Sequence, residues 1–264
     1  MLKAYYDGGN KSDSTAYKVL TLAGYAATDS IWIRVERQWT DVLAHHKIGY
    51  MHMAEAMSLN GSYSKENGWD EAKVQNLLHD LVGVMESFKR RPVTGVSCTV
   101  VLSDYLSARR TFADLPPVEN LCMTQCMGVA LIWYGTLPRY STDGYSKLPS
   151  ECADLYFDRG EPFYGHAVDA WNHKTFRNRD TFKAIRRIEQ ADMRSVPGLQ
   201  MADMLAWAHN RQYGSGGHDK LCTRIREAIP EFHRDLKLPE LGDIDSEKLN
   251  SFKQLRLPRR KPMR

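Results

Sequence analysis

Leu2-Lys3-Ala4-Tyr5-Tyr6-Asp7-Gly8-Gly9-Asn10 opens the chain, and Tyr17-Lys18-Val19-Leu20-Thr21-Leu22-Ala23-Gly24-Tyr25-Ala26-Ala27 answers it after a turn-rich stretch. Both runs are apolar and aromatic enough for strands, and the glycines and polar residues from Gly8 to Asp13 mark a turn or a longer loop. Together they read as an antiparallel hairpin. Trp32, Val35, Trp39, Val42, Leu43 and His46 then recur at helical spacing, with Asp29 or Ser30 as the cap. His45 and His46 suit the negative end of that helix.

Farther along, Ser58 to Trp69 is rich in turn formers and reads as a loop whose Tyr63 and Trp69 could cover a site. Asp70 starts a helix carrying Val74, Leu77, Leu78, Leu81, Met85 and Phe88 on one face. Val93 to Leu102 is the best β-branched run in the chain. Val118 to Leu137 is apolar nearly all round, the pattern of a buried helix. After a linker from Pro138 to Glu151, Cys152 to Asp158 reads as a strand ending in acid, with a helix from about Glu161 to Lys174. Phe182 to Ile188 reads as a further strand. Pro197 stands where proline favours a helix start, and a last helix runs from about Asp219 to Ile229.

The 264 residues suffice for a sizeable core. With 42% hydrophobic and 26% charged residues, the composition is that of an ordinary globular protein, and the net charge of +4 is too small to specify a nucleic-acid partner. The basic, proline-broken tail from Arg256 to Arg264 is read as disordered, there for solubility or for docking to phosphates. The start lacks the apolar stretch of a signal peptide, and no window has the roughly 18 apolar residues of a membrane span. A cytoplasmic protein without a membrane partner is expected. Five cysteines, an odd number, fit a reducing compartment as buried thiols. The expected organisation is one domain over residues 1–230 and a C-terminal extension over 231–264.

Three acids stand out. Asp7 and Asp158 each end an apolar or aromatic strand and are followed by glycine-containing turns, and ligands gather at the carboxyl ends of strands in α/β sheets. Asp203 lies in Gly198-Leu199-Gln200-Met201-Ala202-Asp203-Met204-Leu205-Ala206-Trp207-Ala208, with no cation three or four positions away. Three convergent carboxylates make a hard oxygen site suited to Mg²⁺ or Mn²⁺. Two such ions about 4 Å apart support phosphodiester hydrolysis. Singly, each aspartate is equally a turn initiator, a helix cap or a solvated acid.

Met51-His52-Met53-Ala54-Glu55 adds a histidine and an acid three apart, which share a face if helical. Glu55 is then a candidate fourth ligand and His52 a proton carrier or phosphate donor. A zinc-protease reading fails for want of a second histidine. Arg186, Arg187 and Arg194 are read as a solvated strand edge, with phosphate contact as the sharper option. Trp32, Trp39 and Trp133 are core candidates.

Tyr-x-Asp on the first strand, a strand ending in Leu-Ala-Gly, Met-His-x-x-Glu, and Gly-Leu-Gln-Met-Ala-Asp-Met-Leu-Ala resemble, from about Lys3 to Arg211, the domain-of-unknown-function 3800 family of mostly bacterial and phage proteins. The resemblance implies a ribonuclease-H-like α/β fold and a metal-dependent nuclease-like site. Asp7, His52, Glu55, Asp158, Gln200 and Asp203 match its motifs, with Gln200 in a supporting place. The family's Asp-Glu-Ser-Gly reads Asp7-Gly8-Gly9-Asn10 here, so the acid after Asp7 is replaced by Gly8. The expected architecture is a mixed sheet with an antiparallel N-terminal hairpin, helices on both faces and a helical insertion over about 104–150. Asp7 and Asp158 should meet on parallel strands. The expected function is hydrolysis of DNA or RNA at Asp7, Asp158 and Asp203. A non-catalytic nucleic-acid-binding or regulatory protein and a small-molecule phosphohydrolase are the competing readings.

Overall fold

Alternation decides which face of a sheet each strand residue serves. In the computed structural model, which describes residues 1–9, 19–112, 115–137, 141–142, 145–146, 152–172, 180–215 and 219–236, β1 (Leu2–Gly9) sends Leu2, Ala4 and Tyr6 into one core and Tyr5 into the other. β2 (Val19–Thr28) pairs antiparallel with β1 and with β3 (Val93–Val101). A separate ribbon pairs β4 (Ser141–Thr142) with β5 (Tyr145–Ser146). β6 (Ala153–Asp158) lies parallel to β1, β7 (Ile185–Ala191) parallel to β6, and β8 (Glu231–Leu236) parallel to β3. The result is an α/β protein with a six-stranded mixed sheet in the order β7-β6-β1-β2-β3-β8.

Helices cover both faces. On the Tyr5 side lie α1 (Asp29–His45), the short α2 (Met53–Ser58), α3 (Glu71–Ser87), and two later helices, Pro197–Ser215 and Lys220–Ala228. On the Tyr6 side lie α4 (Leu102–Thr111), α5 (Val118–Gly135), α6 (Pro162–Asn172) and α7 (Asp180–Lys183). The two later helices are α8 (Pro197–Ser215) and α9 (Lys220–Ala228). The apolar girdle of α5 has its reason here: the helix is wedged between β2, β3 and α6, and twelve of its eighteen residues are buried. Trp32, Trp39 and Trp133 are core residues, and Cys98, Cys122, Cys126 and Cys222 are buried free thiols.

Several expectations are corrected. Residues 231–236, read as the start of an extension, form the sheet's edge strand, disguised because its alternate residues Glu231, His233 and Asp235 are all ionisable. The strand expected over Phe182 to Ile188 splits into α7 and a later-starting β7. The segment expected as an insertion holds α4 and α5, and α5 is itself a covering layer of the sheet. Neither Asp29 nor Ser30 caps α1; Thr28 holds that position, and Asp29 pairs with Lys3 Nζ at 2.9 Å. Tyr63 and Trp69 cover nothing, being buried edge to face against each other in the α1–α3 core. The expected basic tail, the loop from Asn10 to Asp13 and the helix end at Lys174 lie outside the described residues. Among the described residues no helix is long and apolar enough to cross a membrane.

Gly24 shows how tightly the hairpin is drawn. It pairs with Tyr6, and a Cβ at this position would lie 2.0 Å from the Tyr5 carbonyl oxygen and 2.7 Å from the Tyr6 ring. A backbone carbonyl cannot step aside without breaking the ladder. Gly24→Ala is therefore expected to cost about 3 kcal/mol, at the upper end of overpacking penalties, read as a lower midpoint in chemical denaturation; an unchanged midpoint would refute the close approach.

Candidate active site

Register places the first two acids. Tyr6 pairs with Phe157 across the parallel β1–β6 ladder, so Asp7 and Asp158 follow side by side at the carboxyl ends of adjacent strands. Strand alternation gives them the face on which α8 packs. Met193 N–H, in the turn before α8, donates to Asp158 Oδ1 at 2.8 Å. Pro197 is the first residue of α8, as expected, and Gly198 follows because a Cβ there would come within 2.4 Å of the Tyr5 ring. That absence of a side chain brings the helix close to the strand.

Asp203, Ala206 and Asn210 then fall on one face of α8, at intervals of three and seven residues. All three line a cleft of about 450 Å³ with Asp7, Asp158, Glu161 and His52. Met53 N–H, at the start of α2, donates to Asp203 Oδ2 at 2.6 Å. The missing intrahelical cation of Asp203 is thus explained by position: the residue is buried against the sheet and faces acids.

Burial and the neighbouring Asp203, Glu161 and Asp158 carboxylates push Asp7 well above the ordinary carboxylate range. Burial also raises Asp203, to about 6, against the lowering influence of the Met53 N–H and His52. Asp7 and Asp203 lie close enough to shift one another, and like charges held this near one another disfavour ionisation of both. Among the described residues Arg159 is the one arginine lining the cleft, and its guanidinium is turned outward, 3.9 Å from Asp192.

Glu161 is the acid that sequence reasoning passed over as a helix opener. It comes from the turn between β6 and α6, and its Oε2 accepts the Gly8 N–H at 3.2 Å. A Cβ on Gly8 would lie 2.5 Å from Glu161 Oε1 and 2.7 Å from the Phe163 ring. Glu161 therefore sets a carboxylate beside position 8, in space that any larger residue at 8 would contest. Only the adjacency of two strand ends, invisible along the chain, reveals this contact.

The middle motif divides. His52 lines the cleft, but Glu55 does not; its carboxylate accepts the Tyr50 hydroxyl at 2.7 Å and lies 3.3 Å from His52 Nδ1. His52 precedes α2 as its N-cap, which lets it contact Glu55 without sharing a helix face. Burial alone would raise Glu55, yet the Tyr50 and His52 contacts outweigh it and hold the acid below its ordinary range. Glu55 is thus a residue that orients His52 and not a fourth acid of the cleft.

Gln200 is buried behind the acids. Its Oε1 accepts Trp39 Nε1–H at 2.8 Å and Met51 N–H at 2.9 Å, while its Nε2 donates to the Met193 carbonyl at 2.9 Å. Asn210 was also missed; it lines the cleft beside Gly9, and its buried Oδ1 has no hydrogen-bond partner among the described residues. The arginines lie elsewhere. Arg186 and Arg187 close on the buried Asp154 at 2.6 and 2.9 Å, so they are ion-pair partners of β6 and not a freely solvated edge. Arg194 stacks over the Tyr50 ring at 5.3 Å.

The donor set of Asp7, Asp158, Asp203 and Glu161, with the neutral Asn210 oxygen, is all oxygen and carries surplus negative charge. These donors are of the type a hard divalent cation such as Mg²⁺ or Mn²⁺ takes in preference to zinc, although as the side chains stand no three of the acids bring ligand atoms within 4.8 Å of one another. No protein-family model, no curated protein and no solved structure matches this chain.

Proposed function

We propose that this protein is a divalent-metal-dependent hydrolase of phosphodiester bonds in DNA or RNA, built on a ribonuclease-H-like fold of the domain-of-unknown-function 3800 type. The single observation that supports this reading is the meeting of Asp7, Asp158 and Asp203 in one cleft, with Glu161 at its edge and no inward-turned arginine among the described residues. A bound divalent ion would neutralise phosphate charge and make water a competent nucleophile at neutral pH. Asp7, between the other two aspartates, would be the shared ligand, with Asp158 and Asp203 on either side.

The remaining residues have roles of their own. Met53 N–H and Met193 N–H fix one oxygen each of Asp203 and Asp158, leaving the second oxygens for the cation. His52, its Nδ1 beside Glu55, would offer its other nitrogen for proton transfer at the phosphate.

Incubating the protein with single- and double-stranded DNA, RNA and a DNA–RNA hybrid, each with Mg²⁺, Mn²⁺ or a chelator, tests the reading. Cleavage that the chelator abolishes and Asp203→Asn removes is expected; no cleavage of any substrate with either metal would reject it. Glu161→Gln keeps the shape of the cleft but removes one charge. It is expected to weaken Mn²⁺ binding about tenfold, the scale of lost support around a metal site, as measured by isothermal titration calorimetry. Undiminished affinity would remove Glu161 from the site.

A further inference from the structure

In the C-terminal half of α8, one residue before the cleft-lining Asn210, a second cluster of ionisable residues forms against β8. His209 lies a turn and a half beyond Asp203, is fully buried, and its Nε2 stands 2.6 Å from Glu231 Oε1. The β3–β8 register sets His233 beside Ser97, and His233 Nδ1 is 2.7 Å from Ser97 Oγ and 3.9 Å from Glu231 Oε1. One ligand atom from each of His209, Glu231 and His233 lies within 4.8 Å of the other two. The histidine rings stack with centroids 4.3 Å apart.

We infer that His209, Glu231 and His233 form a second metal site, for a zinc-class divalent ion, with Ser97 Oγ placed to complete it. The inference is independent of the phosphodiesterase reading.

Three features carry it. First, the donors are two imidazoles and one carboxylate, a set that suits zinc and its late-transition-metal neighbours and contrasts with the all-oxygen cleft. Second, Asp235 Oδ1 lies 2.8 Å from His233 Nε2 and holds a proton on that nitrogen, so that in the neutral ring the Nδ1 lone pair is on the side of Ser97 and Glu231. Carboxylate–histidine–metal relays are built in this way. Third, little movement is needed: ligands about 2.0–2.1 Å from a tetrahedral ion stand roughly 3.3–3.4 Å apart, so Glu231 and His209 would part slightly while His233 closes.

The support is uneven. Arg226 Nε lies 3.8 Å from Glu231 Oε2 and balances the other carboxylate oxygen, whereas His209 Nδ1 is buried with no hydrogen-bond partner among the described residues. An orienting acceptor on that second ring would strengthen binding by a further 10- to 100-fold, so this site should hold zinc less tightly than a fully buttressed one. Such an ion would tie the edge strand β8 to α8 and β3.

The test uses the full chain carrying Asp7→Asn and Asp203→Asn, which takes the carboxylate cleft out of the measurement. Competition against a chromophoric chelator should show one bound Zn²⁺, and Co²⁺ should give the visible absorption of a tetrahedral nitrogen–oxygen site. Adding His233→Ala, at a half-buried edge position, should lower zinc affinity about a hundredfold or more and abolish the Co²⁺ spectrum; Glu231→Gln should do the same. Failure of the parent to bind Zn²⁺, or unchanged affinity in both added variants with circular dichroism intact, would overturn the site. Either result leaves the nuclease assay unaffected.

Discussion

Asp7→Asn is expected to abolish metal-dependent cleavage while making the metal-free protein more stable above neutral pH. The two effects share one cause. Folding buries Asp7 among Asp203, Glu161 and Asp158, which raises its pKa, and burial raises that of Asp203 to about 6. A carboxyl whose folded pKa is raised stabilises the fold fully below its unfolded pKa, near 4, and that stability is lost as pH rises through the folded value. The metal-free wild type should therefore lose stability as pH rises from about 4 through the Asp203 value of about 6, and further as Asp7 ionises, and asparagine at position 7 escapes the Asp7 part of this loss. Divalent metal reverses the order by binding the ionised carboxylates, so Mn²⁺ should raise the wild-type Tm more at pH 8 than at pH 5 and leave the variant nearly unmoved. Losing a ligand that supplies several kcal/mol of charge stabilisation corresponds to at least about a thousandfold loss in rate. Thermal melts at both pH values, with chelator and with Mn²⁺, decide the matter. A variant that is less stable than wild type at pH 8 in chelator, or that responds to Mn²⁺ as wild type does, would contradict the assignment.

What could be read along the chain, and what could not, follows the range of the interactions involved. The hairpin, α3 with its Asp70 cap, β3 and α5 all announce themselves through local periodicity, and the structure has each of them. Asp7, Asp158 and Asp203 were legible because strand ends and an unpaired helix acid are local features, and the cleft brings all three together. Glu161 was not legible, because its meaning depends on Gly8, 153 residues earlier in sequence. Glu55 was misplaced for the converse reason. A histidine and an acid three apart suggest one helix face, but His52 is the residue before the helix, and the nearby Tyr50 hydroxyl captures the carboxylate. β8 escaped detection because Glu231, His233 and Asp235 alternate as ionisable residues along one side of it, leaving Phe232 and Leu236 as too few apolar positions to mark a strand.

Gln200→Leu is expected to be the most destabilising single change near the site, although Gln200 does not line the cleft. The substitution keeps much of the volume and removes every hydrogen bond of the amide. Three buried backbone or indole groups lose their partner: Trp39 Nε1–H, Met51 N–H and the Met193 carbonyl. Each group left unsatisfied costs about 1–3 kcal/mol, so the sum over three groups is roughly 3–9 kcal/mol, a large fraction of the 5–15 kcal/mol that separates typical domains from unfolding. At about 2–4 °C per kcal/mol for a chain of this size, Tm should fall by about 6 °C or more. Function should suffer in the same variant, because the groups Gln200 holds are the supports of the acids. Met51 leads directly into Met53, whose N–H fixes Asp203, and Met193 offers its N–H to Asp158 while its carbonyl is held by Gln200. One side chain therefore ties the supports of both aspartates to the helix that carries the third strand-facing contact of the site. Mn²⁺ affinity is expected to drop about 10- to 100-fold even at temperatures where the variant is folded. Gln200→Glu separates the two roles: it retains acceptors for Trp39 and Met51 but cannot, when ionised, donate to the Met193 carbonyl, so the Asp158 side should loosen more than the Asp203 side. Hydrogen exchange at the Met193 and Met53 amides distinguishes them, and equal protection of both in Gln200→Glu, or a Tm loss of less than about 2 °C in Gln200→Leu, would show that Gln200 does not hold the site together.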